Sequence, residues 1–363
     1  MTISRRWAMF ALFVAAHFLS YFFRSANAVI AGDLSRELSL TAAQLGLMTS
    51  LFYACFAAVQ LPIGSGLDRY GPRYVTPGLM LVTVIGCLVF ASAHSFAMLA
   101  LGRALIGVGM GGVLMGAIKT YGQWFSANRV ATISGFMVGL SSSGSLFAAT
   151  PLAWLNQQFG WRAIFVWSAP IVLLSAASLM LWVRNAPPGQ QASAPVANAG
   201  FGQIFRDTRF WRIAMVTFFL IGVIQAVQGL WAGPYLFDVR GLSKIEAGNL
   251  LLGMGLGVVV GYFSSGWLAD RFGPQRVTTF AMSLFVLCQL AFLWPGLPVP
   301  LLWVLCAVFG YAGSFNVVML AQVRALFPAQ MSGRAITAVN MFGFAGTALL
   351  QWWMGLIINM FAP

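Results

Sequence analysis

The chain has 363 residues, of which 60% are hydrophobic and only 7% charged, a composition that excludes a water-soluble domain of this size. The formal net charge is +13. The basic residues are scattered through short loops and form no cationic face interleaved with aromatics, which argues against a nucleic-acid-binding surface.

A membrane-crossing helix needs about 20 mostly apolar residues. In chain order, eleven such spans are predicted, at 7–30, 44–64, 75–93, 97–119, 131–152, 162–183, 211–234, 246–267, 277–295, 300–324 and 335–360. These runs are too long and too continuously apolar for the strands of a barrel. The first begins after Arg5-Arg6, and Ala26-Asn27-Ala28 resembles a cleavage site. His17 and Arg24 argue for a retained span, because an export segment rarely carries charge just before cleavage. Residues 185–205, rich in Ala, Pro, Ser, Gln and Asn, read as a flexible linker. Residues 201–212 set Phe201, Ile204, Phe205 and Phe210 against Arg206, Arg209 and Arg212, the pattern of an interfacial amphipathic segment. The expected domains are therefore a first bundle at 1–184, a linker with its interfacial segment at 185–210, and a second bundle at 211–363.

Lys and Arg set the expected orientation. With the N-terminus inside, fourteen of the twenty basic residues fall at the cytoplasmic face, while Arg36, Arg162, Arg240 and Lys244 face outward. A multi-pass protein of a bacterial-type inner membrane is expected, surrounded by lipid and monomeric.

Two turns repeat. Gly64-Ser65-Gly66-Leu67-Asp68-Arg69-Tyr70-Gly71-Pro72 returns as Gly266-Trp267-Leu268-Ala269-Asp270-Arg271-Phe272-Gly273-Pro274, at a constant offset of 202 residues. Trp124-Phe125 before Arg129 matches Leu326-Phe327 before Arg334 at the same offset. The chain thus consists of two related halves, a common way to build a transporter that rocks about a central site. The G-x-x-x-D-R-x-G turn resembles the loop signature of the major facilitator superfamily. Arg103, Gly107 and Gly109 are similar to its R-x-x-x-G-x-G pattern in span four, and Gly160-Trp161-Arg162 to its start of span six.

That resemblance implies an all-α fold of two pseudo-symmetric bundles with six spans each. Eleven are visible, so either the sequence is a fragment or the gene product lacks the last helix. The resemblance also implies gating by the repeated turns. Asp68 with Arg69, Arg73 and Arg129 would meet the start of span eleven, and Asp270 with Arg271, Arg276 and Arg334 would meet the start of span five. Leu140 stands where the proline of an exporter-type G-x-x-x-G-P motif would follow Gly135 and Gly139, which weakens drug efflux. A Tyr-x-x-Arg pattern in span one resembles the organic-anion and sugar-phosphate permease branch. Span seven carries Gln225 and Gln228 in place of that branch's second basic residue.

Ionisable groups inside a bilayer are costly and are functional candidates by default. His17, Tyr21 and Arg24 fall at i, i+4 and i+7, on one helical face. Arg24 is the candidate for an anionic substrate group, Tyr21 for a supporting hydrogen bond and His17 for proton coupling, while the family resemblance implies bundle integrity or proton coupling for Arg103. Gln225, Gln228, Asn316 and Asn340 are further substrate-site candidates, with interhelical packing as the alternative role for each. Arg24 could instead snorkel or pair with Asp33, and Arg103 could instead satisfy backbone carbonyls. All seven acids lie in loops or at helix ends, so a buried carboxylate is not available for coupling. Cys55, Cys87, Cys288 and Cys306 fall in spans without metal-ligand spacing. No nucleophile with a base, metal cluster or nucleotide loop is evident, so neither an enzyme nor a cofactor is expected. The expected function is secondary active transport of a small polar or anionic solute, with protons as a coupling partner through His17. A drug or metabolite efflux pump and a non-transporting membrane sensor or assembly factor on a transporter fold remain the alternatives.

Overall fold

The computed structural model describes residues 2–185, 202–294, 296–327 and 329–361, which form helices joined by short turns, with no strand among them. Eight helices are long and apolar enough to cross a membrane, and three shorter apolar helices complete the expected eleven spans. Large apolar side chains such as Leu181, Leu293 and Trp353 face outward, the arrangement a lipid solvent demands. The centre of the proposed linker, around Gln190, lies outside the described residues. Within the interfacial segment, a short helix at Gly202–Arg206 leads into Asp207, which caps Thr208–Ala226.

The repeat is visible in the backbone. Each D-R-x-G turn ends its helix on a glycine at positive φ, 78° at Gly71 and 86° at Gly273. A side chain would be strained there. Proline then opens the next helix at Pro72 and Pro274, where its missing N–H costs nothing. Packing repeats as well. Gly107 of span four sits on the Phe52 carbonyl of span two, and Gly310 of span ten sits on the Met254 carbonyl of span eight. These repeats fit the two-bundle architecture expected of the chain.

Several spans are broken helices. Span one consists of Thr2–Ser25 and Asn27–Leu38. Span seven runs as Thr208–Ala226 and then widens into π-helical turns at Val227–Trp231 and Tyr235–Val239. Such turns leave carbonyls without their usual partners and recur at functional sites.

The two D-R-x-G turns mark one end of the molecule. At the opposite, far end the bundles are closed on each other. Lys244 of span eight donates to both oxygens of Asp33 at 2.8 and 2.9 Å. Thr150 of span five donates to the Asn249 side chain of span eight at 2.8 Å. Spans two and eleven cross at Gly46 and Gly355, where an added Cβ on Gly46 would stand 2.6 Å from the Gln351 carbonyl oxygen.

Candidate functional site

The polar stripe of span one runs up to its break, with Arg24 between spans two and eleven. His17, Tyr21 and Arg24 are all buried. The His17 ring meets Tyr21 edge-on at 5.0 Å. The Arg24 guanidinium lies 5.1 Å from the Tyr21 ring centre, 4.8 Å from Phe56 and 4.9 Å from Phe344. Spans one, two and eleven therefore each give it an aromatic face. Aromatic faces attract a cation, and in a desolvated setting each contributes about 2 kcal/mol at most. They offer it no hydrogen-bond acceptor. Arg24 Nε is buried without a partner, and no carboxylate pairs with this guanidinium among the described residues. Asp33, the sequence-level alternative partner, is occupied by Lys244, Arg36 and Asn156.

Around this cation the backbone is tightly fitted. The Tyr53 hydroxyl donates to the Arg24 carbonyl at 3.4 Å. A Cβ on Gly229 would stand 2.9 Å from that carbonyl and 3.0 Å from the Tyr53 hydroxyl, so span seven approaches this closely only with glycine. The neighbouring π-helical turn frees carbonyls that Gln351 satisfies. Its Nε2 donates to Gln225 and Ala226 at 3.3 and 3.4 Å. Gln225 thus contributes its backbone carbonyl to this bridge, while Gln228 and Asn340 are buried nearby in spans seven and eleven. Among the described residues no hydrogen bond or ring contact links these three side chains to Arg24.

Asn316 lies near a residue the sequence reading passed over. Tyr262 of span eight lies near Tyr21, Asn316 and Arg24, with no hydrogen bond joining it to them among the described residues. Its one sequence signal is positional, since it is the repeat counterpart of Gln60. Asn316 Oδ1 is buried without a partner.

Arg103 is fully buried. Its Nη1 donates to the Phe23 carbonyl at 2.9 Å, and its guanidinium sits 4.7 Å above the Phe52 ring. Nε and Nη2 have no partner. This cation braces the backbone beside Arg24. His17 has both ring nitrogens buried and unpartnered.

At the D-R-x-G end, Arg69, Arg271 and Arg276 are exposed, the first two lying over the rings of Tyr70, Trp267 and Phe272. Arg73 stays within the first bundle, where its Nε donates to the Met180 carbonyl at 3.0 Å. Lys119 donates to the Leu67 carbonyl in the first turn at 2.8 Å. The side chains of Asp68, Arg129, Asp270 and Arg334 lie outside the described residues. Among the described residues, no group of three His, Cys, Asp or Glu converges on a metal-sized site.

Two helical bundles around a buried polar site, with one end sealed, define a membrane transporter architecture. The chain belongs to the Major Facilitator Superfamily, whose family model matches residues 13–350. It is 23% identical over 298 residues to the hexuronate transporter of Escherichia coli K12, covering 76% of this chain and 69% of that protein. It is 24% identical over 305 residues to the probable L-galactonate transporter of the same organism, covering 78% and 67%. Its fold resembles that of a bacterial homolog of the human lysosomal transporter Spinster, in an inward-facing and unoccupied conformation. That match has a TM-score of 0.79 and 22% identity, and covers 98% of this chain and 83% of the other.

Proposed function

We propose that this protein is a secondary active transporter of a small organic anion, working by alternating access. The observation that carries the reading is Arg24, a guanidinium buried between the bundles with Nε unpaired and no carboxylate partner among the described residues. A buried cation without a counter-ion is costly unless something supplies the missing charge. A ligand carboxylate on Arg24 would do so, with Tyr21 beside it. The relatives named as hexuronate and L-galactonate transporters make a carboxylate-bearing solute the natural candidate. Import fits this reading better than drug efflux.

The Lys and Arg distribution supports a cytoplasmic D-R-x-G end, an N-terminus on the same side and residence in a bacterial-type inner membrane. We assign residues 1–184 and 211–363 to the moving bundles and 185–210 to their connection. With the far end closed, a cytoplasmic exit at the D-R-x-G end is the arrangement this reading calls for. Asp68, Asp270 and the basic residues around them would then form the cytoplasmic gate in the opposite state, each at the positive end of a helix dipole. If protons are coupled, His17 or the substrate itself carries them.

The test is ligand-induced thermal stabilisation of the purified protein by galacturonate, galactonate, sialic acid and nitrate. It is followed by binding to Arg24→Ala and Arg24→Lys. A lost charge-assisted bond corresponds to roughly 1.5–3 kcal/mol, so the alanine variant should bind about tenfold to a hundredfold more weakly. Lysine should restore only part of this, because it lacks the planar fork. Unchanged binding in Arg24→Ala would overturn the anion reading.

A further inference from the structure

The two D-R-x-G turns match in sequence but not in what surrounds them. A Cβ on Gly71 would stand 2.2–2.5 Å from the side-chain amide of Asn185, while one on Gly273 would meet nothing within 4 Å. Asn185 Oδ1 accepts from the Arg73 N–H at 3.1 Å, and its Nδ2 donates to the Tyr70 carbonyl at 3.3 Å. A backbone N–H only donates and a carbonyl only accepts, so the amide fits in this orientation alone. Arg73 is the second residue of the helix Pro72–Ala91, whose N-cap Gly71 has no side chain to offer. Asn185 therefore caps this helix from 112 residues away. The end of span six is fastened beside it. Arg73 Nε donates to the Met180 carbonyl and Trp124 Nε1 to the Arg184 carbonyl, both at 3.0 Å, and Val183 is buried. The second turn has no such clamp among the described residues. Gln275, the repeat counterpart of Arg73, is exposed, and no side chain caps the helix Pro274–Phe292 at Gly273.

We infer that Asn185 is a positioning residue of the transport cycle: it locks the first D-R-x-G turn to the end of span six, so that the first bundle presents a pre-ordered turn whenever the cytoplasmic end closes. This rests on the reading of Asp68 and its neighbours as the cytoplasmic gate. A turn held in one geometry has already lost the backbone freedom that closure demands, whereas a loose one must lose it on closing. Removing the amide therefore does more than delete two hydrogen bonds from the folded protein. It weakens the cytoplasm-closed state relative to the cytoplasm-open one, and the far end then opens less often.

The readout is the labelling rate of a single cysteine at Ala42, at the far end, in a background lacking the four native thiols. Gel filtration and thermal unfolding confirm that each variant is folded. Asn185→Ala should stay folded and label about fivefold more slowly than the parent. Asn185→Asp keeps an acceptor for the Arg73 N–H and should recover part of the rate. Gly71→Ala, which puts a methyl group where the Asn185 amide lies, should slow labelling without touching residue 185. Asp68→Asn should slow it through the gate itself. Parental labelling in folded Asn185→Ala, beside slowed labelling in Asp68→Asn, makes the amide a stabilising cap alone and overturns its positioning role while leaving the gate reading intact. Unchanged labelling in Asp68→Asn overturns the gate reading and this inference with it. If Asn185→Ala does not fold, Asn185→Asp and Gly71→Ala decide by the same comparison. Loss of folded protein in all three makes Asn185 a core residue and overturns the inference.

Discussion

Lys244 and Asp33 join the two bundles at the far end, with the Lys244 ammonium 2.8 Å from one carboxylate oxygen and 2.9 Å from the other. Asp33 also accepts from Arg36 on its own helix, at 2.6 Å, and from Asn156 of the helix Thr150–Trp182. Lys244 is the member of this cluster that must let go when the far end opens. Both side chains are partly exposed, so the pair contributes about 1 kcal/mol at most. That is enough to shift a balanced two-state equilibrium about fivefold. Lys244→Ala should therefore raise far-end accessibility without unfolding the protein, as read by labelling of a single cysteine placed at Ala42 in a background lacking the four native thiols. Asp33→Lys with Lys244→Asp should recover part of the closure. Equal labelling of wild type and Lys244→Ala would show that the pair does not hold this end shut.

The Gly46–Gly355 crossing makes a sharper steric demand. A Cβ at Gly355 would stand 2.6 Å from the Ala42 carbonyl oxygen and 3.2 Å from the Gly46 α-carbon. This contact is between bundles, so a larger residue has somewhere to go: the bundles separate. Gly46→Leu should leave expression and thermal stability close to wild type while abolishing uptake and raising far-end labelling. Gly102 provides the contrast, because its Cβ would stand 2.8–2.9 Å from Phe90 atoms inside the first bundle. Gly102→Leu should fail to yield folded protein. If Gly46→Leu is equally unfolded, the crossing is part of the static core.

The repeated turns, the eleven spans and the Arg24 stripe were legible in the sequence because each rests on local chemistry: a glycine-proline pair, a long apolar run, an i, i+4, i+7 spacing. Tyr262 was not, because one tyrosine in an apolar span has no local signature that separates a site residue from packing. Its meaning comes only from its place near Tyr21 and Arg24 in the folded chain. The π-helical turns of span seven were not read either, although Gly229, Gly233 and Pro234 lie in and between them and a proline without an N–H disturbs a regular helical ladder. Arg103 was left between coupling and bracing, and only the Phe23 carbonyl at 2.9 Å shows which group it holds.

Glu37 offers a pH test away from the membrane interior. Partial burial raises its carboxyl, but hydrogen bonds from Trp161 and Arg162 and the nearby positive charge outweigh this and hold it below the usual carboxylate range. A depressed folded-state value means that the stabilisation is complete above the unfolded value, near pH 4.5, and is lost as pH falls through the folded one. Wild type should therefore be more heat-stable than Glu37→Gln at about pH 6, with the gap closing below about pH 4. A gap that stays constant across that range would mean the variant acts through packing rather than charge.

Arg103 separates bracing from folding. Removing it leaves the Phe23 carbonyl unpaired, at a cost of about 1–3 kcal/mol. It also removes a buried cation with two unpartnered donors, whose desolvation is itself unfavourable. The two effects oppose, so Arg103→Met should change thermal stability by no more than about 1 kcal/mol. Transport should suffer far more, because the Phe23 carbonyl lies one residue before Arg24, at the break that aims its side chain. Arg103→Lys, which keeps a donor for that carbonyl, should recover part of the uptake. Ligand affinity is the deciding measurement: Arg103→Met should weaken binding of every carboxylate probe by a similar factor, since the misplacement is of Arg24 itself. Full affinity together with lost uptake would move Arg103 from placing the anion site to the conformational step, and loss of folded protein would make it a core residue.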